Sequence, residues 1–383
     1  MKTGLAALRP VYVVGIGISR YTKPSPVSYV ELGLGAVRDA LTDAGIPWTA
    51  VDAATVGTVN IGMAAGRAML RYLGATGLAI SQCENASASG STAFRHACIE
   101  VASGMSEVGI AIGVDKAAPV NSASTKTGIG SLPADAMIPA AAFALMASDA
   151  MQRHGLTRED LARVAVKNHA NAARNPFAHF QKARTLEEVL AEPEIAGPLT
   201  RLQCCPIGDG AAAAIVVSED ALKRLNIPKK RAVRVLASVS RSERLYAPHE
   251  WATVELTRET VARAYEEASI GPRDLDVVEV HDAFSIEEIL YTEALGLCDR
   301  GEGARWLREG KTAIGGECAI SPSGGLLAMG HPLGPTGVGQ ICEITRQLRA
   351  EAGPRQQPDA KVGLAHMVGV GQVCLVHVLR AGE

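Results

Sequence analysis

Aromatic residues are scarce in this 383-residue chain: 5 Phe, 7 Tyr and 3 Trp, 4% in all. Its core must therefore be built from Ala, Val, Leu and Ile. Long hydrophobic runs are lacking too. The longest apolar stretch, Ala136 to Ala147, is interrupted by Pro139, and a membrane span needs about 20 apolar residues. No sign of charge dominates. Lys and Arg number 38 against 40 Asp and Glu, a formal charge of −2, so nothing draws the chain to nucleic acid or to an anionic membrane, and neither is expected as a partner. The eight cysteines show no CxxC spacing. That argues against a disulfide framework or a zinc site and for small core residues in a reduced compartment. Met1 to Pro10 carries Lys2 and Arg9 but no long apolar run, and the short, glycine-broken Val11–Ile18 reads as a strand rather than a signal peptide. A cytoplasmic protein without metal or organic cofactor is the expectation.

What is present is a glycine-rich globular sequence, 47% hydrophobic and 20% charged with 39 Gly. At about 150 residues per domain its length suggests two domains or two similar halves. Strands are expected at Val11–Gly15, Val56–Ile61, Val108–Val114 and Ala211–Val217. A helix is expected over Ser28–Ala44, with Val30, Leu34, Val37 and Leu41 on one face, and another after Thr92, with Phe94, Ala97, Cys98 and Val101, closed by Gly104. From Lys116 to about Leu202 the alternation breaks down, and Pro119, Pro133, Pro139 and Pro176 punctuate a helical, loop-rich stretch. It is too long for an ordinary connection and reads as an inserted lobe, a common place for substrate contacts. The alternation resumes with strands at Val233–Ser238, Val277–Val280, Lys361–Ala365 and Val373–Leu379 and helices over Thr257–Ala268 and through Val338, Ile341 and Leu348. The chain is α/β. A Gly/Ser-rich elbow feeds a helix at the matching place in each half, which implies internal pseudo-symmetry between residues 1–228 and 229–383.

Four segments carry candidate chemistry. In Asn85-Ala-Ser87-Ala-Ser-Gly90-Ser91, a polar side chain at a sharp turn before a helix would sit in the positive field of the helix terminus, where an oxyanion could meet backbone N–H groups. The plainer reading is a capped turn with Ser91 or Thr92 as the cap. In Val280-His281-Asp282-Ala283-Phe284, a strand runs into an imidazole at its C-terminal end, where α/β sites gather; a structural histidine is the alternative. In Gly330-His331-Pro332-Leu333-Gly334, the flanking glycines suggest close approach of a ligand to backbone. In His366-Met367-Val368-Gly369-Val370-Gly371, the amides could form an anion pocket or a plain turn.

Together these segments resemble the thiolase superfamily. Gly330-His-Pro-Leu-Gly-Pro-Thr-Gly337 is similar to its GHPxGxTG signature, and His281–Phe284 to the HDxF motif of the sterol-carrier-protein-type subclass. Lys167-Asn168-His169 with Asn175-Pro176 resembles that subclass's inserted lobe, and Cys204-Cys-Pro-Ile-Gly-Asp209-Gly210-Ala the family's CxPxxDGA stretch. The resemblance runs in order along essentially the whole chain. It implies the thiolase fold: two pseudo-symmetric βαβαβαββ halves in five layers, α-β-α-β-α, dimeric, acting on acyl-coenzyme A thioesters. It places the acyl-enzyme nucleophile at Ser87, the activating histidine at His331, a polar group of the oxyanion pocket at His281, and an oxyanion-holding N–H at Gly369. Some relatives work with a small accessory protein of zinc-ribbon and oligosaccharide-binding fold.

The sequence departs from the family at three positions. Ser87 stands where the family has its nucleophilic cysteine, a one-atom difference whether natural or engineered. Ala283 and Met367 stand where relatives place an acid/base cysteine. A thiol ionises near pH 8.5, whereas an alcohol needs a strong base throughout. The expected activity is thiolytic cleavage of, or Claisen condensation to, a 3-oxoacyl thioester in fatty, sterol or aromatic acid metabolism. Two alternatives stand beside it: a retro-aldol carbon–carbon lyase on a 3-hydroxyacyl thioester, which needs no acyl-enzyme, and a non-catalytic acyl-coenzyme A or lipid-binding subunit. Retention of both His281 and His331 argues against the last.

Overall fold

The computed structural model describes residues 4–117, 139–247, 250–370 and 372–382. Ten strands form one mixed sheet: β1 (Val11–Ile18), β2 (Ala53–Gly57), β3 (Ala79–Cys83), β4 (Val108–Asp115), β5 (Gly210–Ser218), β6 (Val233–Ser242), β7 (Val277–Glu279), β8 (Ala319–Ile320), β9 (Val362–Gly369) and β10 (Val373–Arg380). Their order is β8-β7-β9-β10-β6-β1-β5-β4-β2-β3. Read outward from the β1–β6 seam, the two wings are the same: first, fifth, fourth, second, third strand of each set. Each wing has parallel outer strands and antiparallel inner ones. The pseudo-symmetry suggested by the elbows is thus explicit in the topology.

The layers follow from the period-2 alternation of the strands. Helix α1 (Tyr29–Ala44) puts Leu34, Val37 and Leu41 against Val14, Ile110, Ile112 and Ala213 on one sheet face. The intervening residues Ile16, Ala111, Ala212 and Ala214 face the other way, onto α2 (Ser89–Ala102) and α7 (Leu333–Leu348). That central cluster also takes Val277, Ala365 and Leu379 from the second wing. Their neighbours Val278, Leu364 and Val378 turn outward to Leu256, Val261 and Ala264 of α5 (Ala252–Ala268). The result is helix, sheet, helix pair, sheet, helix. Most buried strand and helix side chains are small or aliphatic, as the shortage of aromatics requires.

Two central helices can lie this close because glycines line their crossing. A Cβ on Gly90 of α2 would fall 2.4 Å from the Gly334 carbonyl oxygen, and one on Gly337 of α7 would fall 2.4 Å from the Ser91 nitrogen. The crossing brings the two helix N-termini together. Ser87 precedes the first residue of α2 by two positions, and His331 precedes the first residue of α7 by two. These are matching positions in the two halves.

Between β4 and β5 lie α3 (Pro139–His154), α4 (Arg158–Ala172), a short helix Leu186–Leu190 and a small hairpin, Glu194–Ala196 with Leu199–Thr200. Pro119 and Pro133 fall outside the described residues. Several boundaries differ from expectation. Strands β6 and β9 each run four residues past the expected Ser238 and Ala365, so His366–Gly369 lie in a strand rather than a loop, and α2 starts at Ser89 rather than after Thr92. The strand expected at Val56–Ile61 is Ala53–Gly57, because the chain beyond it turns away to give the Val59 and Asn60 N–H groups to the Asp115 carboxylate at 3.1 and 3.0 Å. Helix α5 begins five residues before Thr257.

Candidate active site

The first elbow leaves β3 through Glu84 to Ala88. Ala86 adopts φ +49°, a left-handed conformation that costs a non-glycine residue about 1–2 kcal/mol. Hydrogen bonds hold it: the Ala86 N–H donates to Glu84 Oε1 at 2.6 Å, the Asn85 N–H to Ser89 Oγ at 2.8 Å, and the Ser89 hydroxyl to the Ala86 carbonyl at 2.7 Å. No side chain caps α2, whose N-cap residue is Ala88. Ser91 therefore does not act as the cap, because the helix starts two residues before it.

His331 enters from a turn at Gly330, φ +110°. Its Nδ1 lies 3.0 Å from Thr336 Oγ1, and the Thr336 hydroxyl itself donates to the Pro332 carbonyl at 2.6 Å. The threonine oxygen is therefore free only to accept, which puts the ring hydrogen on Nδ1. Nε2 then offers a lone pair to the Ser87 hydroxyl, 3.1 Å away. Burial, reinforced by nearby His281, holds the His331 pKa well below the ordinary histidine value, so the ring is neutral near pH 7 and able to accept a proton. Ser87 and His331 are each only 7% exposed.

His281 follows β7, with its ring centroid 5.4 Å from that of His331 and nearly perpendicular to it, at 87°. Its Nδ1 faces Glu287 Oε1 at 2.9 Å. Its Nε2 is buried with no protein partner. The His281 backbone N–H donates to Nδ1 of His366 at 3.3 Å, so His366 Nε2 carries the hydrogen given to Thr257 Oγ1 at 3.0 Å. Burial first, then His281, pushes the His366 pKa down to about 3. Gly369 ends β9 directly against the elbow: a Cβ there would lie 2.7 Å from the Asn85 carbonyl oxygen and 3.4 Å from the Ala88 Cβ. The structure thus brings Ser87, His331, His281 and Gly369 into one place.

No thiol stands at residue 87, 283 or 367. Ala283 and Met367 are buried. Cys205 sits beside Ala283, donating its backbone N–H to the Ala283 carbonyl at 2.8 Å, but burial pushes its thiol well up, with Glu287 adding to the effect. Burial raises the other seven thiols as well, Cys204 to about 11 and Cys83 to about 12. Among the described residues no cluster of His, Cys, Asp or Glu could hold a metal ion, and no helix is long and apolar enough to cross a membrane.

Several supporting residues had no role assigned from the sequence, although Thr336, Lys167, Asn168 and Asn175 stand in its motifs. Thr336 and Glu287 orient the two imidazoles. Asp115 accepts the Gly334 N–H at 3.1 Å as well as those of Val59 and Asn60, tying the first turn of α7 to the other half. Helix α4 clamps the inserted lobe onto the His281 segment. Lys167 Nζ donates to the Ile320 carbonyl at 2.6 Å and pairs with Glu288 at 3.1 Å, while Asn168 Nδ2 donates to Asp282 at 2.6 Å and Glu288 at 3.0 Å. Asn171 and Asn175 donate to the Ser321 and Ser323 carbonyls at 3.1 and 2.8 Å. The sequence signal for Glu287 was an acid in the first turn of the helix after the HDxF motif. For Thr336 it was the threonine of the glycine signature itself.

Family models for the thiolase N-terminal domain and the thiolase C-terminal domain-like region match residues 13–220 and 237–380. The chain belongs to the thiolase family. Its relatives place it in the sterol-carrier-protein-type subclass. Among them is human sterol carrier protein 2, 38% identical over 98% of this chain and 73% of that protein. The benzoylsuccinyl-CoA thiolase subunit BbsB of Thauera aromatica is also 38% identical, over 95% of each chain. Among solved structures, the Ltp2-ChsH2(DUF35) aldolase superposes with a TM-score of 0.81 at 26% identity, covering 97% of this thiolase-family chain and 98% of that one.

Proposed function

We propose that this protein is a thiolase-like acyl-coenzyme A acyltransferase that cleaves or forms a 3-oxoacyl thioester in fatty, sterol or aromatic acid metabolism. The observation that carries this reading is the 3.1 Å approach of Ser87 Oγ to a neutral, oriented His331 Nε2 at the crossing of two helix N-termini. In the cleavage direction His331 takes the hydroxyl proton as Ser87 Oγ attacks the 3-oxo carbon. The backbone N–H groups of Ser87 and Gly369 hold the oxyanion. The C2–C3 bond breaks and the proton held by His331 passes on to C2; a coenzyme A thiol then gives its proton to His331 and attacks the acyl carbon, and Ser87 Oγ leaves with that proton. The substrate is the coenzyme A thioester itself, with no resident cofactor.

A second reading is favoured by the aldolase neighbour together with the lack of cysteine at residues 87, 283 and 367. In a retro-aldol cleavage one imidazole takes the 3-hydroxyl proton, the C2–C3 bond breaks to leave a carbonyl, and that same proton is passed on to C2. Ser87 then only binds. Exposed edge strand β3 supports a homodimer, since an unpaired edge invites pairing with a second copy. A small zinc-ribbon and oligosaccharide-binding-fold accessory protein belongs to the proposal too. The aldolase neighbour pairs Ltp2 with ChsH2(DUF35), and BbsB is itself a subunit. A cytoplasmic location and a division of the chain near residues 228 and 229 complete the reading.

The test is product analysis with two substrates. A 3-oxoacyl-coenzyme A plus coenzyme A should give two shorter acyl thioesters, with radiolabel transiently covalent on Ser87. Cleavage of a 3-hydroxyacyl thioester to a free carbonyl compound, with no covalent label, would replace the acyl-transfer reading by the lyase.

A further inference from the structure

The His281 ring sits in an arrangement that the family signature does not describe. Its Nδ1 is 2.9 Å from Oε1 of Glu287, in the first turn of α6 (Ser285–Ala294). The same carboxylate is fully committed. Oε1 also accepts the Tyr291 hydroxyl at 3.1 Å, and Oε2 accepts the Phe284 N–H at 2.9 Å. Three donors converge on one carboxylate, which is wholly buried. The His281 backbone is held as well, through its N–H to His366. Ring and carboxylate cannot turn independently. The ring hydrogen must sit on Nδ1, leaving Nε2 with its lone pair, buried and unpartnered, 5.4 Å across from the His331 ring centre to centre.

We infer that Glu287 is a positioning residue that fixes His281 in the Nδ1–H tautomer and so makes Nε2 the acid/base group at C2 of the substrate, the place left empty of thiol by Ala283 and Met367. This rests on the proposed reaction at the same site and deepens it. In the condensation direction Nε2 takes a proton from C2 of an acyl thioester. The C2–H bond breaks, an Nε2–H bond forms, and the electron pair passes to the new C2–C3 bond. Cleavage runs the same transfer backwards: Nε2 first receives the proton that leaves the Ser87 hydroxyl through His331, and then gives it to C2. Throughout, the Glu287 carboxylate stands opposite Nδ1–H as the counter-charge for the doubly protonated ring, and need not itself take a proton. His331, with Nδ1 on a neutral threonine hydroxyl, has no such counter-charge. The two imidazoles are therefore unlike: one can hold a proton between steps, and the other passes it to and from Ser87. A lyase would need the same division, so His281 keeps this role under either reading.

The experiment uses the full chain with 15N-labelled histidine, His281 being identified by the signal lost in His281→Asn. In the unaltered protein the His281 ring should show a hydrogen on Nδ1 and a lone pair on Nε2. Glu287→Gln presents an amide N–H₂ that must face one of three donors, and the ring should lose the fixed Nδ1–H state. With turnover substrate, kcat should fall roughly 10²- to 10⁴-fold while KM changes less than about threefold, by analogy with loss of the orienting carboxylate in a catalytic triad. Glu287→Asp should recover part of kcat. A wild-type ring carrying its hydrogen on Nε2, or a Glu287→Gln protein with the ring state and kcat unchanged, overturns the inference. The NMR reading needs no turnover. If the protein performs neither cleavage, the proposed function fails, while the ring signals still decide what Glu287 does.

Discussion

Replacing Ser87 with cysteine asks whether the pocket is built for a thiolate. In water, moving a proton from a thiol near 8.5 to an imidazole near 6.5 spans two pKa units and costs about 2.7 kcal/mol. At the Ser87–His331 separation of 3.1 Å, a thiolate–imidazolium pair recovers about 5 kcal/mol at an effective dielectric near 20. The N-terminus of α2 adds roughly 0.3–1 kcal/mol for the anion. The pair is favoured by about 3 kcal/mol before burial is counted. Burial opposes both charges, as the depressed His331 pKa shows, and trims that margin. For the alcohol the same sum fails. An alcohol near water's own value of about 16 stands some nine units above imidazole, about 13 kcal/mol, more than pairing can return. Ser87 therefore keeps its proton until a substrate carbonyl arrives, and the thiol of Ser87→Cys should ionise at rest.

The assay is alkylation of the introduced thiol by iodoacetamide, read by peptide mass spectrometry so that the eight native thiols, all raised by burial, are counted separately. A free thiol is about 3% ionised at pH 7, and its rate should climb about 25-fold between pH 7 and 9. The paired thiol should alkylate at nearly its full rate already at pH 7, and His331→Asn in the same background should restore the climb. An acyl adduct on the introduced sulfur after incubation with acyl-coenzyme A should accompany it. A slope of one log unit per pH unit up to pH 8.5 in Ser87→Cys would refute the pairing argument.

Two further outcomes follow from packing and burial. Gly90→Ala should cost about 3 kcal/mol or more in urea unfolding, since its Cβ falls 2.4 Å from the Gly334 carbonyl oxygen, whereas Gly35→Ala, with open space around its Cβ, should be neutral or stabilising by up to about 1 kcal/mol; equal effects would remove the crossing argument. The Glu279 carboxyl is raised to about 8, chiefly by burial and then by Glu343, so the folded state holds its proton where the unfolded chain has lost it. Its contribution is complete below about pH 4.5 and is lost as pH rises towards 8, at about 1.4 kcal/mol per pH unit in that window; Glu279→Gln should flatten this part of the stability profile between pH 5.5 and 7.5, and an unchanged slope would contradict it.

Much of the scaffold was legible because it follows local rules. The i, i+3, i+4 spacing of Phe94, Ala97, Cys98 and Val101 marks a helix, and all four are buried. Glycine clusters marked both elbows because backbone there meets backbone. Less legible were interactions between residues far apart in sequence. The end of β2 depends on Asp115, more than 50 residues on, and α4 docks through Asn168 to Asp282, 114 residues away. Glu287 lay only six residues past His281, yet its role needed the ring's orientation, which no spacing reports. The missing cap on α2 has a similar cause: the elbow uses Ser89 Oγ to hold Ala86 and Asn85, and this begins the helix earlier than a cap at Ser91 would allow.

The substitutions at residues 87, 283 and 367 make most sense as a set. A thiolase with one thiol removed would be a damaged enzyme, with its second sulfur still needing a partner. Here all three sites lack sulfur nucleophiles, while both imidazoles remain oriented through Nδ1, one by a hydroxyl and one by a carboxylate. That arrangement retains proton transfer at C2 and at a neighbouring oxygen, the step common to acyl transfer and to retro-aldol cleavage. What it weakens is the covalent half-reaction. An oxygen ester on Ser87 is a deeper well than a thioester, so passing the acyl group on to a coenzyme A thiol is uphill, where exchange between two thiols would be nearly level. A site tuned for thiolysis alone has little to gain from an alcohol at residue 87. A site whose work is proton transfer at C2 loses little by it, and the Ser87 hydroxyl can still donate to a substrate oxygen once His331 releases it.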